Sequence, residues 1–138
     1  SLDEAQPGEL FKHLADAFTR RSGVPVDLNV EPSIDCMIPV EVKNVFYRIA
    51  QEGLNNIFKH AEATRVWFRY TCGEEAITLT IIDDGLGFDQ KDIPPGHMGL
   101  GIMAERAKSI QADLNVVSRP GEGMTLRLVW RFDRNPIK

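Results

Sequence analysis

Apolar positions along the chain recur with two periods, and each change of period marks an element. From Glu9 to Arg21, the residues Leu10, Phe11, Leu14, Ala15 and Phe18 return every third or fourth position. This predicts an amphipathic helix, stopped by Ser22-Gly23. Val24, Val26, Leu28 and Val30 then alternate with polar residues as a first strand, which Pro32 ends. Pro39 stands where a helix can begin, and helical spacing runs from Val40 through His60. Thr64 to Cys72 is β-branched and aromatic, Gly73-Glu74-Glu75 turns, and Ala76 to Ile82 alternates again, which predicts a hairpin. Residues 89–98, with Pro94, Pro95 and Gly96, lack periodicity and read as a mobile loop. Gly99 to Gln111 resumes helical spacing, and strands follow at Asp113 to Ser118 and Met124 to Phe132 around a turn at Arg119 to Gly123.

Helices gathered on one face of a largely antiparallel sheet make an α+β fold, a two-layer α/β sandwich. The expectation is about five strands in a mixed, mostly antiparallel sheet covered by three helices. One domain is expected over residues 9–132. Residues 1–8, broken by Pro7-Gly8, read as a linker or cloning remnant, and 133–138 as a polar tail.

A formal net charge of -4 leaves no overall basic footprint, so a nucleic-acid partner is not expected. No apolar run approaches the roughly 20 residues that cross a bilayer, and no signal segment opens the chain. A soluble domain without membrane contact is expected. Cys36 and Cys72 lie far apart and form no C-x-x-C pair, so they read as two ordinary reduced thiols. Trp67, Phe68, Tyr70 and Trp130 read as strand aromatics that pack the core or the sheet edge, and Arg106 as plain surface.

Chemistry concentrates in three stretches. In the second helix, steps of about 100° per residue place Glu52, Asn55, Asn56, Lys59 and His60 within one arc beside an apolar stripe. Partly desolvated polar groups need partners, which a ligand would supply; a solvated helix edge is the alternative. Next, Asp83-x-Gly85-x-Gly87 follows directly on a strand. Its glycines let the backbone come close to a flat ligand, and its carboxylate can accept a hydrogen bond from an exocyclic amine, as on adenine. An ordinary acidic turn is the alternative. Finally, Gly96-His97-Met98-Gly99-Leu100-Gly101 leads into the third helix, whose free N–H groups suit phosphate oxygens, although a hinge without ligand is equally economical.

In their joint order and spacing these stretches resemble the GHKL, or Bergerat-fold, ATPase superfamily of gyrase, the Hsp90 chaperone, MutL-type repair proteins and histidine kinases. R-I-A-Q-E-G-L-N-N-I-F-K-H-A (Arg48 to Ala61) and G-L-G-I-M-A-E-R-A (Gly99 to Ala107) are similar to the catalytic ATP-binding domain of bacterial sensor histidine kinases, nitrate-sensor type. The resemblance implies ATP and Mg²⁺ as cofactors. It implies Glu52 as the acid that activates the phosphoryl acceptor and Asn56 as the Mg²⁺ ligand. Asn55, Lys59, His60 and Thr125 would belong to the nucleotide site, with Asp83 on the adenine amine and Gly85 and Gly87 shaping its pocket. Gly99, Leu100 and Gly101 would close a lid over about 88–101. Implied partners are a dimerisation domain carrying the phosphoacceptor histidine and a response regulator with a helix-turn-helix output. The implied location is cytoplasmic, and a monomer is expected for the isolated domain.

Three departures bear on the transfer. Gly53 replaces the usual Ala. Met124 holds the Thr place of G-x-G-T, with Thr125 following. None of His13, His60 and His97 sits in a phosphoacceptor pattern, so the acceptor lies elsewhere. Two rival readings remain at this point: a serine kinase of the anti-sigma-factor type or plain ATPase, and a nucleotide-gated interaction module without catalysis.

Overall fold

The computed structural model describes residues 5–32, 36–93 and 99–132. The first helix, α1 (Pro7–Ser22), has Pro7 in its first turn, so Pro7-Gly8 begins the helix rather than breaking the chain before it. It ends on Gly23 in the left-handed region (φ 76°), whose N–H donates to the Thr19 carbonyl. Strand β1 (Val26–Glu31) follows, then α2 (Val40–Asn56), which runs without interruption into a π-helical turn, Ile57–Ala61. Strands β2 (Val66–Cys72) and β3 (Ala76–Asp83) form the hairpin, closed where the Gly73 N–H donates to the Ala76 carbonyl. A short 3-10 turn, Gln90–Asp92, precedes α3 (Leu100–Ser109), β4 (Asp113–Ser118) and β5 (Met124–Arg131). The expected lid falls partly on residues 94–98, and the expected tail on 133–138, outside the described residues.

The sheet order is β1-β2-β3-β5-β4. Among the described residues only β1 and β2 pair in parallel; that pairing requires a crossover, which α2 supplies. The α+β sandwich expected from the periodicities is therefore present. Alternation puts Phe68, Tyr70, Ile77, Leu79, Ile81, Leu126 and Leu128 under the helices, where they meet Phe11, Phe46 and Ile49, all at most 2% exposed. Phe11 lies 4.9 Å from Tyr70 between ring centroids, and Phe46 stands edge-on to the same ring. Trp67 departs from the expectation of a packed aromatic: it faces outward, 38% exposed, with the Arg65 guanidinium over its ring.

Gly53 has a packing reason. A Cβ there would come within 3.3 Å of Leu126 Cδ1 and 3.5 Å of Ile81 Cδ1, so α2 crosses the sheet closely at this point. Central strand β3 ends at Asp83, whose register partners are Val66 and Met124. The expectation for the cysteines is overturned. Cys36, just before α2, and Cys72, the last residue of β2, are joined as a disulfide with Cα atoms 6.3 Å apart. Distance along the chain misled here, because the segment entering α2 passes the very end of β2.

Candidate nucleotide site

At the Asp83 end of the sheet lies a cavity of about 210 Å³ lined by Asn56, Ile57, His60, Ala61, Asp83, Gly87, Phe88, Ile93 and Met124. Cavities of about 150 Å³ already hold a benzene ring, so this one admits a flat heterocycle. Its walls are mainly apolar. Asp83 is 3% exposed; its Oδ1 accepts from the Gly85 N–H at 2.7 Å. Its Oδ2 is buried and has no partner among the described residues. Burial pushes the Asp83 carboxyl up from its ordinary range, and the neighbouring Asp84 adds to this, while N–H groups of Gly85 and Met124 oppose it. A buried acceptor left open in an apolar cleft suits one N–H donor on a planar ligand.

The backbone after Asp83 is held from both sides. The Leu86 N–H donates to the Ala61 carbonyl, and the Gly121 N–H to the Leu86 carbonyl. A Cβ at Gly85 would overlap the Ala61 carbonyl, and one at Gly87 (φ 66°) the Arg119 carbonyl, so no side chain fits at either place. Ser118, buried at the end of β4, accepts from the Phe88 N–H and donates to the Gly123 carbonyl. Gln90 brackets the same strand end, bonding the Val116 carbonyl and the Ser118 N–H. Sequence reasoning missed Ser118 and Gln90, because a polar residue at a strand end or in a loop carries no periodic signal.

The polar arc expected on α2 divides between two depressions. Ile57 and Ala61 of the π-helical turn are buried, and Asn56 and His60 line the cavity with them. Glu52 and Asn55 instead line a neighbouring groove between α1 and α2, with Leu14, Phe18, Arg21 and Phe58. Lys59 is exposed and lines neither. The Glu52 carboxylate packs against Gly99, which sits in the left-handed region (φ 65°) at the start of α3, where any Cβ would collide with Glu52 Oε1. Leu100 is the first residue of α3, and Gly101 opens onto free space. Thr125 is a correction: it pairs with Ile82 and Val117 on the open face of the sheet, and Met124 turns into the cavity in its place. Among the described residues no cluster of three or more His, Cys, Asp or Glu could hold a metal ion.

Comparison with known proteins bears on this site. Residues 41–134 match the family described as "Histidine kinase-, DNA gyrase B-, and HSP90-like ATPase". The chain is 29% identical over 120 residues to the sensor histidine kinase LiaS of Bacillus subtilis, covering 87% of this chain and 32% of that protein. It is 29% identical over 108 residues to the nitrate/nitrite sensor protein NarX of Escherichia coli, covering 78% of this chain and 18% of NarX. Among solved structures, the blue-light activated histidine kinase of Erythrobacter litoralis EL346 superposes with a TM-score of 0.71 at 26% identity, over 90% of this chain and 41% of that one. The chain thus spans about a third or less of the curated relatives compared here.

Proposed function

Because this chain belongs to the histidine kinase-, DNA gyrase B- and HSP90-like ATPase family, we propose that it is the ATP-binding catalytic domain of a sensor histidine kinase. It positions Mg-ATP for phosphoryl transfer to a histidine on a dimerisation domain outside this chain. The observation that carries the reading is the buried Oδ2 of Asp83, without a partner among the described residues, inside an apolar cavity at the end of the central strand. That acceptor suits the exocyclic amine of adenine, with Ile57, Phe88, Ile93 and Met124 excluding water from the ring.

Phosphoryl transfer depends on positioning and charge neutralisation more than on covalent chemistry. Bound Mg²⁺ supplies part of that neutralisation. The donor set fits a metal held mostly by phosphate and water, since Asn56 would bring a single amide oxygen and, among the described residues, no carboxylate cluster stands beside it. His60 at the cavity wall and exposed Lys59 one residue before it bring further donors toward the phosphate side. Gly99, Leu100 and Gly101 present backbone N–H groups at the start of α3. Glu52 lies outside the adenine cavity, beside Gly99, where an incoming imidazole could reach it. There it takes or orients the proton as the phosphorus is attacked. The downstream acceptor would be a response regulator, the domain acts in the cytoplasm, and the isolated domain is a monomer.

The test separates binding from transfer. The chain is mixed with labelled ATP and a separately produced dimerisation domain from the same full-length protein. Label should pass to the added histidine, Glu52→Gln should slow transfer at least tenfold with ATP affinity unchanged, and Asn56→Ala should remove the Mg²⁺ dependence of binding. Binding without transfer to any added acceptor would contradict the kinase reading.

A further inference from the structure

We propose that Cys36 and Cys72 are a reversible redox latch: a thiol pair closed by a low-molecular-weight disulfide and reopened by the corresponding thiol. The two residues sit at the sheet end opposite Asp83. Cys72 is the last residue of β2 and pairs with Ile77, whereas Asp83 pairs with Val66 at the strand's other end. At about 3.3 Å per residue, roughly 20 Å separates the latch from the nucleotide cavity.

Three observations support reversibility. Both cysteines are partly exposed, not sealed in the core. Cys36 lines an open surface cleft of about 470 Å³ with Pro7, Lys12, Val30, Pro32 and Tyr70, which gives a glutathione-sized disulfide a route to the sulfur. The elements that carry or adjoin the two cysteines are held by contacts that do not need the bond. Cys72 is held by the β2 and β3 ladder, and Cys36 precedes a helix start anchored by buried Val42 and Phe46 and by Lys43 Nζ donating to the Ala5 carbonyl at 2.9 Å. Reduction therefore leaves the sulfurs poised to close again. Where thiol buffers keep most cysteines reduced, the disulfides that do form are usually transient and regulatory.

The chemistry is thiol–disulfide exchange. One cysteine thiolate attacks a sulfur of glutathione disulfide, breaking its S–S bond and releasing one glutathione thiol. The second cysteine, as thiolate, attacks the protein sulfur of that mixed disulfide and releases the second. The protein loses two electrons and two protons in all, and glutathione disulfide is reduced to two thiols. The closed bond ties the start of α2 to the end of β2 across a sequence separation of 36 residues, a span that includes all of α2. Restricting so long a loop in the unfolded chain raises the melting midpoint. The nucleotide cavity at the other end is left as it was.

The whole chain is equilibrated in glutathione buffers of stepped redox ratio, quenched with an alkylating agent and weighed by mass spectrometry, with thermal melting in parallel and no nucleotide present. The latch predicts that both thiols vanish together in a monomer and that the oxidised midpoint exceeds the reduced one by about 10 °C. Cys36→Ser and Cys72→Ser should each lose the midpoint shift and retain one glutathione as a stable mixed disulfide. Thiols that stay alkylatable in oxidised glutathione, an unchanged midpoint or bonds formed between chains would overturn the latch. Should a serine variant fold poorly, the comparison of oxidised and reduced parent decides the matter alone. Thiol count and midpoint need no nucleotide, so the result stands apart from the kinase reading.

Discussion

Asp84 holds Thr64 at two points: its Oδ1 accepts from the Thr64 N–H at 2.8 Å and its Oδ2 from the Thr64 hydroxyl at 2.5 Å. The Arg65 N–H also donates to Oδ1. The side chain is exposed, yet it ties the turn after Asp83 to the corner that leaves the π-helical turn. These bonds, the Thr64 hydroxyl foremost, hold the Asp84 carboxyl below its ordinary range.

Asp84→Ala should therefore raise the Kd for ATP by about threefold to tenfold with little loss of fold, and Asp84→Asn, which keeps one acceptor oxygen, should do less. Titration of the two variants against the parent checks this ranking. The sign of the pH effect follows from the depressed carboxyl. Its stabilising contribution is fully present above the ordinary Asp value of 3.8 and is lost as pH falls through the lower folded value. Acid melts should show the parent losing stability over that window more steeply than Asp84→Ala.

Asp83 has the opposite sign. Its carboxyl is raised by burial, so the folded state holds the proton more tightly than the unfolded chain, and stability declines as pH rises from the ordinary value through the folded one. Asp83→Asn keeps an oxygen for the Gly85 N–H and removes the desolvated charge. At neutral pH the ligand-free variant should melt no lower than the parent, and its midpoint should lose the pH dependence between those two values.

Gly99 and Glu52 should behave as a coupled pair. Gly99→Ala forces a Cβ into a left-handed backbone position and against the Glu52 carboxylate. The backbone strain alone costs roughly 1 to 2 kcal/mol. Adding Glu52→Ala removes the collision but not the strain, so the double variant should be more stable than the sum of the singles predicts. Denaturant unfolding of the four proteins in this cycle measures the coupling.

Thr125 and Met124 give a sharp contrast. Thr125→Val, on the open face of the sheet, should leave ATP affinity within about twofold. Met124→Leu reshapes the cavity wall and should weaken binding several-fold at a stability cost below about 1.5 kcal/mol. A tenfold loss in Thr125→Val would return that residue to the site.

The element order was legible because each helix and strand carries its own period over enough residues to show it, and Asp113–Ser118 matches residue for residue. The π-helical turn was not. Nothing in I-F-K-H-A distinguishes wide winding from ordinary winding. Glu52, Asn55 and Asn56 all lie in regularly wound α2, and an arc that wide divides between the groove, which takes the first two, and the cavity, which takes Asn56. Met124 was visible as a departure from G-x-G-T, yet only strand register decided that it, and not Thr125, turns inward. The Cys36–Cys72 pairing depends on a long-range approach between a loop and a strand end, which spacing along the chain does not encode.

The cavity beneath Asp83 is proposed to take the adenine of ATP. Calorimetric titration of the whole chain with ATP and Mg²⁺, repeated with Asp83→Asn, tests it most directly. The parent should bind one-to-one, and the variant, whose amide N–H would face the ligand's donor where the parent has an acceptor, should lose at least a hundredfold in affinity while its melting midpoint stays at or above the parent's. Equal ATP affinity in both folded proteins, or no binding by the folded parent, would contradict it.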